Sequence, residues 1–460
     1  MAPPKSARTI SQQAFDELVK ENLEDLGMDP NEALEDAIQT LTLQGVDLSG
    51  IMTSLLSSGE ENPIIQSLER LKELDRDLKK GGGSENEIVE LLDKFNDVCD
   101  VGSKNAAIAS KNGAVELVCS LCGKLESRFN QGLVSALKAL VSLLHDLQST
   151  EIFREINGPK MVMNILKNRK DNLSILNGVF SVVSAAATGN EVLKQAFMDL
   201  KIDELILQCL REFSRGSIPS LYDAVRVLLT SDDKRVVASE VYGYARRFAK
   251  IGIVEALVDS LHEGIKAPSL VSATIALKAI AVNDEICRAV ADNGGLDAIL
   301  RCIDDSGEQH EKVVAETCCS LLTKLAGSDI NKSAIVDKDG MGKLMKLATR
   351  FSDDPTVLHE VMSMVTVVSL RSPHNAACAI EAGAGDVVIQ AMQRFPESEL
   401  LQRNSCFMIR NLVVRNPENR TILLGNGIEE LIRKAKMNYK SCKNAATDAL
   451  RDLGLDSYNL

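Results

Sequence analysis

The residues of this chain that could do chemistry are its cysteines, histidines and glycine-rich turns, and their spacing argues against a reaction centre. Cys119 and Cys122 form a Cys-x-x-Cys pair, the spacing of a redox couple or of half a zinc site. They lie in an apolar helical run with no second pair nearby, which predicts two thiols packed in a core. The five histidines, His145, His262, His310, His359 and His374, are scattered, and none falls in His-Glu-x-x-His or beside a cysteine at ligand spacing. Asp339-Gly-Met-Gly-Lys343 has the outline of a phosphate loop, but no strand precedes it, and Gly81-Gly-Gly-Ser84 lacks the Lys-Ser/Thr that should follow. No Ser/His/Asp or Cys/His arrangement is visible either. The expectation is a protein without catalytic residues, cofactor or metal.

Composition bounds what such a chain can bind. Of 460 residues, 52 are Lys or Arg and 65 Asp or Glu, a net charge of -13, so a sequence-independent grip on phosphate backbones, which needs clustered basic residues, is not expected. There is no Trp, and 5 Tyr with 11 Phe are too few for base-stacking platforms. Direct nucleic-acid binding is therefore not expected. The longest apolar stretches, around residues 179–188 and 361–370, are about half the roughly 20 residues that span a bilayer, so no membrane span is expected. The first ten residues lack an apolar run of the secretory kind. The 11 cysteines, an odd number spread through apolar segments, read as reduced, buried thiols. Both point to a cytoplasmic protein, with the nucleus also open to it.

The elements that would position a binding site begin with an acidic segment. Residues 1–80 hold 8 basic and 16 acidic side chains, a net of -8 against -5 for the rest. Phe15, Leu18, Val19, Leu23 and Leu26 recur at helical spacing after Ser11, a natural N-cap. Ala33, Leu34, Ala37, Ile38 and Leu41 repeat the pattern after Pro30, which suits a first helical turn. Ile64, Leu68, Leu71 and Leu78 predict a third helix, ending at Lys79 and Lys80. The glycines at 81–83 then read as a flexible joint, dividing the chain into an acidic helical segment, residues 1–84, and a second region, residues 85–460.

Beyond the joint one pattern returns. A turn containing Gly, followed by an apolar helix, recurs with glycines at 113, 158, 252, 294, 340, 383 and 427, 42 to 46 residues apart, or 94 where Leu200-Lys201-Ile-Asp-Glu stands without its glycine. A shorter helix precedes each turn, as at 283–292, and a longer one closes each unit, as at 311–326. The period excludes the 33 to 34 residues of ankyrin and tetratricopeptide units and fits the 40 to 47 of armadillo and HEAT units. About eight three-helix units fill residues 85–460, and three helices favour armadillo over two-helix HEAT.

Asn416-Pro-Glu-Asn-Arg-Thr-Ile-Leu-Leu-Gly-Asn-Gly-Ile-Glu-Glu-Leu-Ile432 and Met408-Ile-Arg-Asn-Leu412 resemble the armadillo repeat pattern. The stretch from Phe15 to Leu34, followed by Gln44 to Ile51, resembles the N-terminal segment of one branch of that family. The resemblance covers essentially the whole chain. It implies an all-α fold, a right-handed superhelical armadillo solenoid of about eight three-helix units with an N-terminal helical cap, acting as a non-enzymatic scaffold that binds proteins or extended peptides along a concave groove.

In armadillo proteins the third helix of each unit lines that groove, and peptide binders resemble one another in placing Trp and, four residues later, Asn on it. Here Asn411 alone occupies the Asn position, and no Trp exists to trap Lys or Arg stems. The alternative, a nuclear transport or trafficking adaptor of the importin-alpha type, is disfavoured for that reason. The groove contacts expected instead are Lys138, Ser142, Asn177, Phe180, Tyr222, Lys324, Arg403, Phe407 and Asn411. Residues 401–443 add nine basic side chains against three acidic ones, which predicts a docking end for an acidic partner segment.

Overall fold

The computed structural model describes residues 8–48, 51, 63–101, 103–213 and 217–456, and twenty-eight α-helices occur among them. Parts of the acidic segment, including Ser49 and Gly50 of the Gln44–Ile51 motif, lie outside the described residues.

The first two helices form where capping and amphipathic spacing place them. α1 (Gln12–Glu24) opens on Ser11, whose hydroxyl accepts from Ala14 N at 3.2 Å. α2 (Pro30–Leu43) opens on Asp29, which accepts from the backbone of Asn31 and Glu32. Their apolar faces close on Phe15, Ala37, Leu41 and Ile51. One feature is unexpected: β1 (Arg8–Thr9) pairs in parallel with β2 (Val46–Asp47), a ladder of two residues. α3 (Pro63–Lys79) and α4 (Glu85–Asp100) follow. The glycines between them make a hydrogen-bonded helix stop, with Gly82 N donating to Asp77 O at 3.0 Å.

Eight triplets come next. They are α5 (Ser103–Lys111), α6 (Ala114–Leu125) and α7 (Asn130–Leu143); α8 (Leu147–Glu155), α9 (Gly158–Asn168) and α10 (Leu173–Ala187); α11 (Glu191–Asp199), α12 (Ile202–Glu212) and α13 (Pro219–Leu228); and α14 (Val241–Lys250), α15 (Ile253–Leu261) and α16 (Leu270–Ile280). The remaining four are α17 (Asp284–Asp292), α18 (Gly295–Gln309) and α19 (Lys312–Leu325); α20 (Asp329–Asp337), α21 (Gly340–Arg350) and α22 (Pro355–Ser369); α23 (Pro373–Glu381), α24 (Ala384–Arg394) and α25 (Glu399–Val413); and α26 (Pro417–Gly425), α27 (Ile428–Asn438) and α28 (Lys443–Asp452). α3 and α4 take the second and third places of an additional, incomplete unit, because α3 packs on α6 and α4 on α7.

The turn between first and second helices needs a left-handed residue, and Gly113 (φ 86°) and Gly252 (φ 93°) supply it without strain. In the second unit the left-handed residue is Asn157 (φ 60°), and Gly158 serves a different purpose. A Cβ there would lie 2.2 Å from the Phe153 ring. Where the glycine is missing from the sequence, Lys201 itself takes the left-handed conformation (φ 63°).

A ladder of asparagines seals the seams between units. Asn105, Asn331, Asn375 and Asn419 each stand third in α5, α20, α23 and α26. Their amides donate to carbonyls near the end of the preceding third helix, Val98 (2.8 Å), Leu325 (3.0 Å), Val368 (3.1 Å) and Leu412 (2.9 Å). Those carbonyls are the ones a helix end leaves without an internal partner.

Packing divides the chain into two compact units, one reaching to Leu205 and including Ser231–Ser239, the other comprising Ile206–Thr230 and the residues from Glu240 onward. In the first, the third helices α4, α7 and α10 lie side by side over a core that includes Leu137, Leu140 and Val179. The Ser231–Ser239 segment is tied down by polar pairs. Lys194, fully buried, binds Asp232, and Asp233 accepts from Glu191 N at 3.0 Å. A lysine so enclosed is tolerable only because its charge is paired. In the second unit α13, α16, α19, α22, α25 and α28 pack in succession, around Leu277, Leu321, Val365 and Ile409.

Candidate partner-binding site on the third helices

In the first unit, three successive third helices build a trough of about 720 Å³. α4 contributes Asp93, Asn96, Asp97 and Asp100, α7 contributes Val134, Lys138, Val141 and Ser142, and α10 contributes Ser174, Asn177, Gly178 and Ser181. Each set follows steps of three and four residues, so each is one stripe of one helix face. Gly178 brings α10 close to α7, since a Cβ there would lie 3.1 Å from the Leu137 side chain. The trough therefore gathers three residues expected from the sequence, Lys138, Ser142 and Asn177. Ser142 Oγ donates to Asp100 Oδ1 at 3.1 Å, and Lys138 is exposed with no ion pair among the described residues. Asn96 is 8% exposed. Its amide nitrogen lies 3.4 Å from Ser135 O, and its Oδ1, itself buried, has no hydrogen-bond partner among the described residues.

Two expected contacts are corrected. Phe180 is completely buried and Tyr222 nearly so, the latter hydrogen-bonded through its hydroxyl to Ser260 Oγ at 3.0 Å. Each turns its ring into the core on the inner face of its helix, so neither is available to a partner.

In the second unit, Lys324 is exposed at a hollow of about 560 Å³ with Lys278, Asp284, Ser320 and Glu360. Lys278 Nζ donates to Ser320 Oγ at 2.6 Å. Arg403, Phe407 and Asn411 share a face of α25, with the Arg403 guanidinium 5.5 Å from the centre of the Phe407 ring. Asn411, however, gives its amide to Thr366 O at 2.8 Å. It holds the preceding third helix as an internal tie.

Four of the nine basic side chains of residues 401–443 are paired within the chain. Arg410 pairs with Asp448 and Asp452, at 3.3 and 3.4 Å, and Arg433 with Glu429 and Asp456, at 2.8 and 3.1 Å. Lys434 pairs with Glu430 and Lys436 with Asp456. The aspartates responsible lie just past residue 443, outside the stretch whose charge was counted. Arg403, Arg415, Arg420, Lys440 and Lys443 have no ion pair among the described residues.

Cys119 and Cys122 are buried in α6, and burial pushes the Cys122 thiol up to about 12 and that of Cys119 upward as well. The expectation that no histidine sits beside a cysteine fails at one place. His374 and Cys378 are one turn apart on α23, with Nε2 3.7 Å from Sγ. Among the described residues no group of three or more His, Cys, Asp or Glu is placed to hold a metal ion, and no helix is long and apolar enough to cross a membrane.

Comparison with known proteins decides what these helices are. Residues 7–67 match the Armadillo repeat-containing protein 6 N-terminal domain, and residues 261–456 match the LRRK2 ARM repeat. The chain has the armadillo-repeat fold. It resembles Armadillo repeat-containing protein 6 of Homo sapiens, with 26% identity over 80% of this chain and 75% of that one. The Drosophila melanogaster homolog is likewise 26% identical, over 82% of this chain and 80% of its own. Among solved structures, the crystal structure of an engineered protein overlays 86% of this chain and 99% of its own with a TM-score of 0.64 and 18% identity, a likeness of fold.

Within this armadillo array, the site residues that sequence reasoning missed are Asp93, Asn96, Asp97 and Asp100. They stand on α4, ahead of the first turn glycine, where a search keyed to glycines cannot register a third helix. The available signal was the spacing 93, 96, 97, 100 in a helix opened by Ser84, whose hydroxyl accepts from Glu87 N.

Proposed function

We propose that this chain is a non-enzymatic scaffold that holds partner proteins by segments laid across the exposed faces of its third helices. The trough of α4, α7 and α10 is the principal seat. The observation that carries this reading is the convergence there of three polar stripes, from three adjacent third helices, around a cavity of about 720 Å³. Serine, asparagine and lysine side chains in such a row can satisfy the backbone of an extended segment, while Val134 and Val141 offer apolar contact. The absence of Trp from the whole chain speaks against an importin-type adaptor.

The test is affinity capture from cell extract with the intact chain and with a Lys138→Glu, Asn177→Ala variant, after both are shown to melt alike. Loss of a defined subset of captured proteins is the expected result. If the variant keeps every partner, the trough is not the seat.

A further inference from the structure

We infer that residues 231–239 are a releasable strap, whose Asp232 and Asp233 fill a carboxylate-binding corner at the start of α11. An acidic segment of a partner protein, carrying two adjacent carboxylates, displaces them. The corner belongs to a first helix, not to the third helices of the trough, so the inference goes beyond the scaffold role proposed above.

The connection is the first observation. Elsewhere the chain passes from a third helix to the next first helix in three residues, as at 188–190, 326–328 and 370–372. Between α13 and α14 it takes twelve, residues 229–240. The change of direction needs no more than three. The surplus forms neither helix nor strand and packs on α11.

The anchors are the second observation. Lys194 on α11, fully buried, pairs with Asp232. Glu191, the first residue of α11, donates its N–H to Asp233 Oδ2 at 3.0 Å, one of the groups that a helix start leaves without an internal acceptor. Ser239 Oγ donates to Glu191 Oε1 at 2.9 Å. Arg235 binds Asp233 at 2.7 Å and reaches Gly189 O at 3.4 Å. Its guanidinium holds the Asp233 carboxyl well below the usual carboxylate range, so the strap presents that group as an anion.

Apolar burial does not support these bonds. Val236, Val237 and Ala238 are exposed, Val237 completely, so the burial that locks the helices together is missing from the strap. A segment held by polar contacts gives them up to an equivalent ligand far more readily than a helix leaves its core. The occupant shows what the corner accepts: a buried ammonium and a helix-start N–H, each on a carboxylate. A neutral or cationic segment in its place would leave Lys194 enclosed without a counter-charge. Being tethered, the strap competes at an effective concentration of roughly millimolar order, which keeps the corner shut until a strongly acidic segment arrives.

The strap sequence is itself the probe. A fluorescent peptide of residues 230–239 is titrated against the intact chain, against Asp232→Asn with Asp233→Asn, and against those two changes combined with Lys194→Met. The double variant should bind at least about tenfold more tightly than the parent, having lost its tethered competitor. The triple variant should not bind, nor should a peptide with asparagine for both aspartates. Hydrogen exchange read by mass spectrometry needs no variant. In the parent, residues 189–195 and 231–239 should exchange faster as sodium chloride rises from about 50 to about 500 mM, with α9 and α10 unchanged. The inference is overturned by no binding to the double variant, by equal binding of the asparagine peptide, by displacement with inorganic phosphate at the peptide's own concentration, or by exchange that rises equally through α9 and α10. None of these readouts involves the trough. Failure of the strap therefore leaves the scaffold role standing, and failure of the Lys138, Asn177 capture leaves the strap standing.

Discussion

Asn411 on α25 donates its side-chain amide to the carbonyl of Thr366 on α22, 2.8 Å away. The residue that the repeat pattern reserves for a partner's backbone is thus engaged by the neighbouring unit. Replacing it with Ala should cost about 1 kcal/mol of stability and leave captured partners unchanged. A normal melting temperature together with lost partners would show that this amide faces a ligand.

The seam asparagines should matter more. Asn419 is buried and donates to two carbonyls, Leu412 at 2.9 Å and Ala376 at 3.1 Å. Asn419→Ala leaves both without that donor and should destabilise the second unit by about 1 to 3 kcal/mol. Chemical denaturation monitored by circular dichroism would measure it, and a change within error would contradict the role assigned to the seam.

Leu321 on α19 is fully buried. Leu321→Ala should cost about 2 to 5 kcal/mol, the usual range for a cavity of that size in a packed core. A melting temperature within error of the parent would mean that the core closes over the gap.

Acid should loosen the second unit through Asp354. Burial raises its carboxyl, but Lys312 at 2.7 Å, with Thr356 and the backbone amides of α22, outweighs burial and holds it at about 2. A folded value below the ordinary carboxylate value of about 3.9 contributes stability that is full above about pH 4 and is lost as the pH falls toward about 2. Asp354→Asn should lower the melting temperature at pH 7, and the difference from the parent should shrink as pH falls through that window. A constant difference would contradict it.

Much of the fold was legible because left-handed turns, helix caps and apolar spacing are local properties. Ser11, Asp29 and the turn glycines mark their helices in sequence alone. Lys201 shows the limit: its unit keeps the turn without the glycine, because tertiary packing sustains a conformation the residue does not favour. The site was half legible. Lys138, Ser142 and Asn177 are polar residues on an exposed face, whereas Phe180 and Tyr222 differ from a groove contact only by a rotation about the helix axis that register alone does not fix. The neutralisation of Arg410, Arg433 and Lys436 depends on aspartates brought back by α28 and the turn after it, which a charge count within a stretch does not see.

Photocrosslinking from inside the trough addresses the central claim most directly. A photoreactive amino acid placed at Ser142 on α7 should yield covalent adducts with partner proteins in cell extract, and the same group at Glu116, exposed on the second helix α6, should yield none. Adducts at Glu116 and none at Ser142 would contradict the account and move the binding surface to the other side of the unit.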